Sequence, residues 1–199
     1  MQKRSEETRA RIMLAAVSEF GENGYEATSV SRICQAAGVS KGAFYHHFPS
    51  KQALFLELLG SWLTLLDQQF NLVRSQADNV PEALIRMTGL MGDIYQTAGG
   101  NLPMFIEFWN QAGHDPEVWG TVIAPYRRYQ EYFAGMIQEG IDERSLKPVD
   151  PQKTARVMVA LAVGLLLQGA LDPEGADWQD VTQYGFEMIL NDLLFMETK

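Results

Sequence analysis

Residues 28–51 of this 199-residue chain constrain its fold more than any other stretch, because Gly38, Val39 and Ser40 separate two short segments whose apolar residues recur at helical spacing. Val30, Ile33 and Ala37 make one face of the first segment, and Thr28 or Ser29 is placed to accept a bond from the free amides at its start. Gly38 ends that segment. Ser40 is a natural cap for the second segment, 41–47, which Phe48-Pro49-Ser50 closes because a residue ahead of proline is biased out of the helical region. Two short helices joined by a turn of about three residues containing glycine form a helix-turn-helix. Ile12, Ala16 and Phe20, with Met13 and Val17, predict a preceding helix over about 6–21 with Gly24 as its left-handed stop. Val30, Ile33, Ala37, Val39, Phe44 and Phe48 then close a small three-helix core with it.

The same periodicity continues to the C-terminus, with no convincing alternating strand and no internal repeat of fixed period, so the fold class is all-α with about nine helices. Helices are expected near 51–75, 81–97, 102–113, 115–140 (broken or kinked at Pro125), 151–171 and 177–196. The spacing divides the chain into an N-terminal head, 1–50, and a larger helical part, 51–199. Hydrophobic residues at 46% and charged residues at 21% exclude wholesale disorder. Cys34 is the only cysteine and forms no internal disulfide, and the start MQKRSEETRAR lacks an apolar signal region, so a cytoplasmic protein is expected. The longest apolar run, 157–167, has 11 residues, short of the roughly 18 to 20 that span a bilayer, so no membrane partner is expected.

Charge separates the same two parts. The net charge of -9 argues against a polyanionic partner for the chain as a whole, since phosphate neutralisation dominates nucleic-acid affinity. Residues 1–51, however, carry 7 Lys and Arg against 5 Glu, while 52–199 carry 9 basic and 20 acidic groups. A neutral-to-basic head on an acidic body is turned toward DNA by like-charge repulsion of the rest.

With the apolar positions of 41–47 turned inward, Lys41, Gly42, Ala43, Tyr45, His46 and His47 are left facing outward. Small residues allow close approach to a major groove, while Lys and Tyr reach base edges or phosphates. Lys51 stands at the start of the next helix, where its ammonium and free backbone amides can share a phosphate, and Thr28 and Ser29 offer the same one helix earlier. His46 and His47 also suit a solvated pair at a helix end, and Tyr45 a half-buried core position. Cys34, beside Ile33 and Ala37, reads as a small core residue rather than a thiol sensor.

These residues resemble the DNA-binding signature of the TetR (tetracycline-repressor) family of bacterial transcriptional regulators. Ile33, Ala37, Gly38, Val39, Ser40, Gly42, Tyr45, His47, Phe48, Lys51 and Leu54 match in register over about 8–56, with Cys34, Phe44 and Gln52 standing for the usual alanine, leucine and glutamate. The resemblance implies that 41–47 is the recognition helix, capped by Ser40. Lys41, Gly42, Ala43 and Tyr45 would then lie nearest the bases or adjacent backbone, and Thr28, Tyr45, His46, His47 and Lys51 would hold phosphates of a double-stranded operator. It also implies that 51–199 binds a small-molecule effector and forms a homodimer through its last two long helices. The runs 105–112 and 140–151 resemble the C-terminal domain of choline/betaine-type regulators in that family.

For the dimer, Met158, Ala162, Leu165, Leu166 and Gly169 on an almost wholly apolar helix, with Tyr184 and Met188 on the next, are the candidate contacts; a monomeric core is the other reading. For an effector pocket the aromatic and methionine density selects Trp62, Leu66, Met91, Tyr95, Phe105, Phe108, Trp109, Tyr126 and Tyr129, although aromatics at helical spacing are more often plain core. The acidic excess favours a neutral or cationic ligand. An enzyme is not expected: His114-Asp115 has no second cluster at metal-ligand spacing, and no nucleophile elbow, phosphate loop or dinucleotide fingerprint occurs. No catalytic residue, metal or cofactor is assigned. The leading expectation is a ligand-responsive dimeric repressor of a palindromic operator, the alternative a constitutive DNA-binding regulator with no small ligand.

Overall fold

Helix α1, Gln2–Asn23, buries Ile12, Ala16 and Phe20 completely on one face, as their four-residue spacing dictates, and stops where Gly24 takes φ +81°. The computed structural model describes the backbone of residues 2–98, 113 and 116–194, and side chains over 4–90, 113 and 118–194. Helix α2, Val30–Ala37, is capped by Ser29, whose hydroxyl oxygen accepts the Arg32 N–H at 3.2 Å, and ends at Gly38 with φ +64°. Helix α3, Lys41–His47, is capped by Ser40 accepting from the Ala43 N–H at 3.1 Å, and its C-cap Phe48 is extended ahead of Pro49. Ser50 accepts from the Ala53 N–H at 3.0 Å and opens α4, Lys51–Gln76. The expected three-helix core is present: Ile33, Phe44 and Phe48 are buried with the α1 face, and Val30 and Val39 pack on its edge. Cys34 is buried in it, and loss of solvation pushes its thiol up, only partly offset by Lys41.

Helix α5, Val80–Ala98, follows Asn79, whose side chain accepts the Glu82 N–H at 2.9 Å. Helix α6, Pro116–Asp142, runs through Pro125 without interruption, so the break expected there does not occur. The proline forfeits one amide hydrogen bond, and α6 buries Val118 and Val122 in one hydrophobic cluster and Ala134 and Ile137 in another. Helix α7, Pro151–Leu171, starts on Asp150 with proline in its first turn, and α8, Trp178–Leu193, starts on Asp177. The last helix ends before the expected residue 196, because Leu194 is extended and forms an isolated antiparallel bridge with Leu146. Among the described residues there are eight helices; the one expected over 102–113 lies outside the described residues.

Two compact units result, one from residues up to 65 with the start of α6 to 122, the other from 66 and 123 onward. In the second, α5 and α7 pack on α8 around Phe70, Val80, Leu84, Ile137, Leu146, Met158, Phe186 and Leu190. Gly140 lets Leu146 and Val80 close that core, since a Cβ there would lie 2.6 Å from Leu146 Cδ1 and 3.2 Å from Val80 Cβ. Helix α7 is long and apolar enough, by length and composition alone, to cross a bilayer, but Ala155, Met158, Val159, Leu165 and Gly169 are buried in its unit, as in a bundle helix.

Candidate nucleic-acid interface

Helix α3 has two unlike faces. Phe44 is fully buried, which anchors the helix and is worth about 1.5–3 kcal/mol of transfer free energy. Lys41, Gly42, Tyr45 and His46 are exposed, Tyr45 at 54%, while Ala43 and His47 are half-buried at the rim. An added Cβ on Gly42 would meet only Ser40 Oγ at 3.8 Å, so the backbone there lies open to a large partner. The alternatives left for Tyr45 and the histidine pair narrow accordingly: the Tyr45 ring meets the Phe44 edge but is not enclosed, and the His46 and His47 rings stack edge to face at 5.1 Å. Desolvation, then the neighbouring charges of His46 and Arg9, lower the His47 pKa. Arg9 itself lies over the Phe48 ring and is paired with Glu57, tying α1 to α4 beneath the exposed face.

Two expected phosphate holders make contacts within the head. Thr28 is fully buried, and its hydroxyl donates to the carbonyls of Glu19 at 3.0 Å and Gly24 at 2.8 Å. That side chain fastens the turn after α1 to the end of α1, and only Ser29 remains exposed at the start of α2. The Lys51 ammonium donates to the carbonyls of Tyr25 at 2.8 Å and Glu26 at 3.4 Å and lies 4.2 Å from the Tyr25 ring centroid. The half-buried ammonium thereby ties the turn between α1 and α2 to the start of α4. Tyr25, which packs edge-on against Phe55 at 5.2 Å, was the missing partner; a basic residue 26 positions away carries no periodic signal for it.

The candidate dimer residues also divide by face. Met158, Leu165 and Gly169 are buried within their own unit. Ala162 and Leu166 are half-buried, and Tyr184 and Met188 are exposed at 64% and 59%. The exposed apolar residues of α7 are Val157, Ala160, Leu167 and Leu171, with half-buried Gly164 between them, spaced three and four residues apart. Because this helix is apolar all round, periodicity could not say which stripe faces inward.

Of the candidate pocket residues, Trp62 packs on the first unit's core and Leu66 on the second's. The side chains of Met91 and Tyr95, and Phe105, Phe108 and Trp109 entirely, lie outside the described residues, as does His114-Asp115. Tyr126 and Tyr129 are half-buried, and burial raises both phenol pKa values, at Tyr129 with help from a hydrogen bond to Asp67. Tyr129 lines an open cleft with Asp67, Phe70 and Asn71 of α4 and Arg128 and Tyr132 of α6. Asp67 and Arg128 were missed because charged residues on a helix surface look the same in sequence whether they are solvated or face a cleft.

Comparison with known proteins joins these parts. The family model of tetR-family bacterial regulatory proteins matches residues 12–58, and that of the C-terminal part of BetI-type transcriptional repressors matches 99–189, together well over half the chain. The regulator UidR of Escherichia coli is 26% identical over 175 residues, covering 83% of each chain, and BetI of Pseudomonas fluorescens is 26% identical over 184, covering 90% of this chain and 89% of its own. Among solved structures, a transcriptional regulator from Saccharomonospora viridis in complex with choline has a TM-score of 0.83 at 20% identity, covering 96% of this chain and 100% of that one. A TetR-family regulator from Cytophaga hutchinsonii has a TM-score of 0.79 at 19% identity, covering 98% of both. A helix-turn-helix with an exposed third helix, followed by an all-helical second part that matches the repressor model, makes this chain a member of the TetR family of bacterial transcriptional regulators.

Proposed function

We propose that this protein is a cytoplasmic, dimeric, ligand-responsive repressor that binds a palindromic DNA operator through α3 and leaves it when a small effector binds the C-terminal part. Residues 1–50 act as the DNA-reading head and 51–199 as the effector-binding and dimerisation part. The observation that carries the reading is the orientation of α3, with Phe44 fully buried and Lys41, Gly42, Tyr45 and His46 outward. In this reading Lys41 and Tyr45 contact base edges or adjacent backbone, Gly42 and Ala43 permit the approach, and Ser29, Ser40, His46 and His47 face phosphates. Thr28 and Lys51 set the geometry of the turn that carries α2. The outward apolar residues of α7 and α8, Val157, Leu167, Leu171, Tyr184 and Met188, support pairing of two copies. Pairing would set two α3 helices about 34 Å apart, one turn of duplex.

The BetI-type match supports repression, and the choline-bound structural relative supports a small, cationic effector. An effector shifts the equilibrium only by its differential affinity for the DNA-free form, and DNA then weakens effector binding by the same factor. Fluorescence anisotropy on a palindromic fragment from upstream of the gene tests the head. Replacing Lys41 and Tyr45 together by alanine should weaken binding by roughly thirtyfold or more, since two base contacts at about 1–3 kcal/mol each sum to at least about 2 kcal/mol. Unchanged affinity removes α3 from the interface.

A further inference from the structure

The cleft between α4 and α6 lies wholly within the second unit and holds about 210 Å³. Sites for drug-sized ligands are roughly 300–1,000 Å³, so this one suits a compact head group with the rest of the ligand in solvent. Its charge is already matched from inside the chain. Arg128 Nη2 lies 3.0 Å from Asp67 Oδ1 and 2.9 Å from Oδ2, and the guanidinium carbon lies 5.1 Å from the Tyr129 ring centroid. The Tyr129 hydroxyl donates to the same Asp67 Oδ1 at 2.9 Å. Phe70 meets Tyr129 edge-on at 5.8 Å and lies nearly parallel to Tyr132 at 6.2 Å, so three rings are braced against one another in the cleft that Asp67 also lines.

An aromatic face with a carboxylate at its hydroxyl end is recognition chemistry for an organic cation, and here a guanidinium of the protein's own chain lies over that face and on that carboxylate. The two partners are held unequally. Tyr129 is half-buried and locked by Phe70 and Asp67, whereas the Arg128 side chain is 53% exposed, on a flexible stem. Releasing an ion pair of that exposure costs little. Apart from Asp67 and Asn71 the wall of the cleft is aromatic once Arg128 leaves, a surface that favours a weakly hydrated cation over a strongly hydrated one. A quaternary ammonium, which donates none and is weakly hydrated, loses least on entering.

We propose that the Asp67–Phe70–Tyr129–Tyr132 cleft binds a small quaternary ammonium head group, and that Arg128 is a tethered stand-in which the ligand must displace. This rests on the effector-responsive reading only for its consequence at DNA; the binding step is independent of it.

Titration calorimetry of the full-length protein without DNA tests the site, using tetramethylammonium, choline and, as control, ammonium chloride. Arg128→Gln and, separately, Arg128→Met should bind tetramethylammonium roughly fivefold tighter than the parent, because the competing cation is gone. Asp67→Asn should weaken it by more than about tenfold, because the charge that attracts the cation is gone. In thermal melts, tetramethylammonium should raise the midpoint of both Arg128 variants more than that of the parent, which a merely structural clamp between α4 and α6 would not produce. Equal or weaker binding by both Arg128 variants, indifference to Asp67→Asn, or no preference over ammonium overturns the proposal. Operator release is measured in parallel. Binding at the cleft without release upholds this site and counts against the effector reading; release that ignores both Asp67 and Arg128 does the reverse.

Discussion

The outward faces of α3 and α7 are exposed to similar degrees and differ in everything else. On α3 the exposed side chains are a cation, an aromatic with a hydroxyl, imidazoles and a glycine, groups that are well hydrated alone and exchange water for phosphate or base edges at modest cost. On α7 they are Val157 at 58%, Leu167 at 38% and Leu171 at 72% exposure, with Gly164 between them bare enough that an added Cβ would touch nothing. Exposure alone therefore does not identify a binding face; the hydration of what is exposed identifies the kind of partner. The first face suits a polyanion and the second another apolar surface.

The largest effect that can break this contrast is expected at α7. Leu167→Glu should raise the dimer dissociation constant by at least about a hundredfold, since each copy of the variant would bury an unpaired carboxylate in the shared surface. The folded chain should be unharmed because Leu167 is exposed in it. Analytical ultracentrifugation with circular dichroism separates the two outcomes. An intact dimer at nanomolar concentration would show that the apolar stripe is not the contact.

A smaller effect sharpens the comparison at the head, where Lys51 looks like a phosphate ligand in sequence and is tied to Tyr25 and Glu26 in the fold. Lys51→Met should lower the thermal midpoint through loss of hydrogen bonds from a charged donor, about 1.5–3 kcal/mol for a well-made one. The dependence of DNA affinity on salt should keep its slope, because no counterion-releasing contact is lost. A slope reduced by about one unit would return Lys51 to the interface.

The head was legible in the sequence because its decisive interactions are local. Ser29, Ser40 and Gly38 act on amides and carbonyls within four residues, and Ile33, Phe44 and Phe48 are assigned inward by spacing alone. What sequence reading missed is non-local or chemically ambiguous. The Lys51–Tyr25 and Arg9–Glu57 contacts join residues 26 or more positions apart, and Thr28 and Ser29 offer like hydroxyls of which the fold buries the first and exposes the second. In the second unit the cleft is made by Asp67 and Arg128, 61 positions apart on two long helices, each unremarkable in its own helical pattern. The inward stripe of α7 could not be chosen because both its stripes are apolar.

The smallest expected effect bears on the rim of α3 and has opposite signs for folding and binding. In the free protein the His47 pKa lies below its ordinary 6.5, through desolvation first and then the charges of His46 and Arg9, the latter paired with Glu57. The unfolded chain therefore binds more protons, and the His47 contribution to stability, fully present above pH 6.5, is lost as pH falls from 6.5 through the lowered value. A phosphate at the same imidazole favours the charged form, so DNA binding takes up a proton and affinity should rise by a few-fold over that window. His47→Gln should flatten both trends, thermal midpoint against pH and operator affinity against pH, at constant ionic strength. If only the stability trend flattens, His47 is a rim residue of the α3 core that DNA does not reach, and the polar face narrows to Lys41, Gly42, Tyr45 and His46.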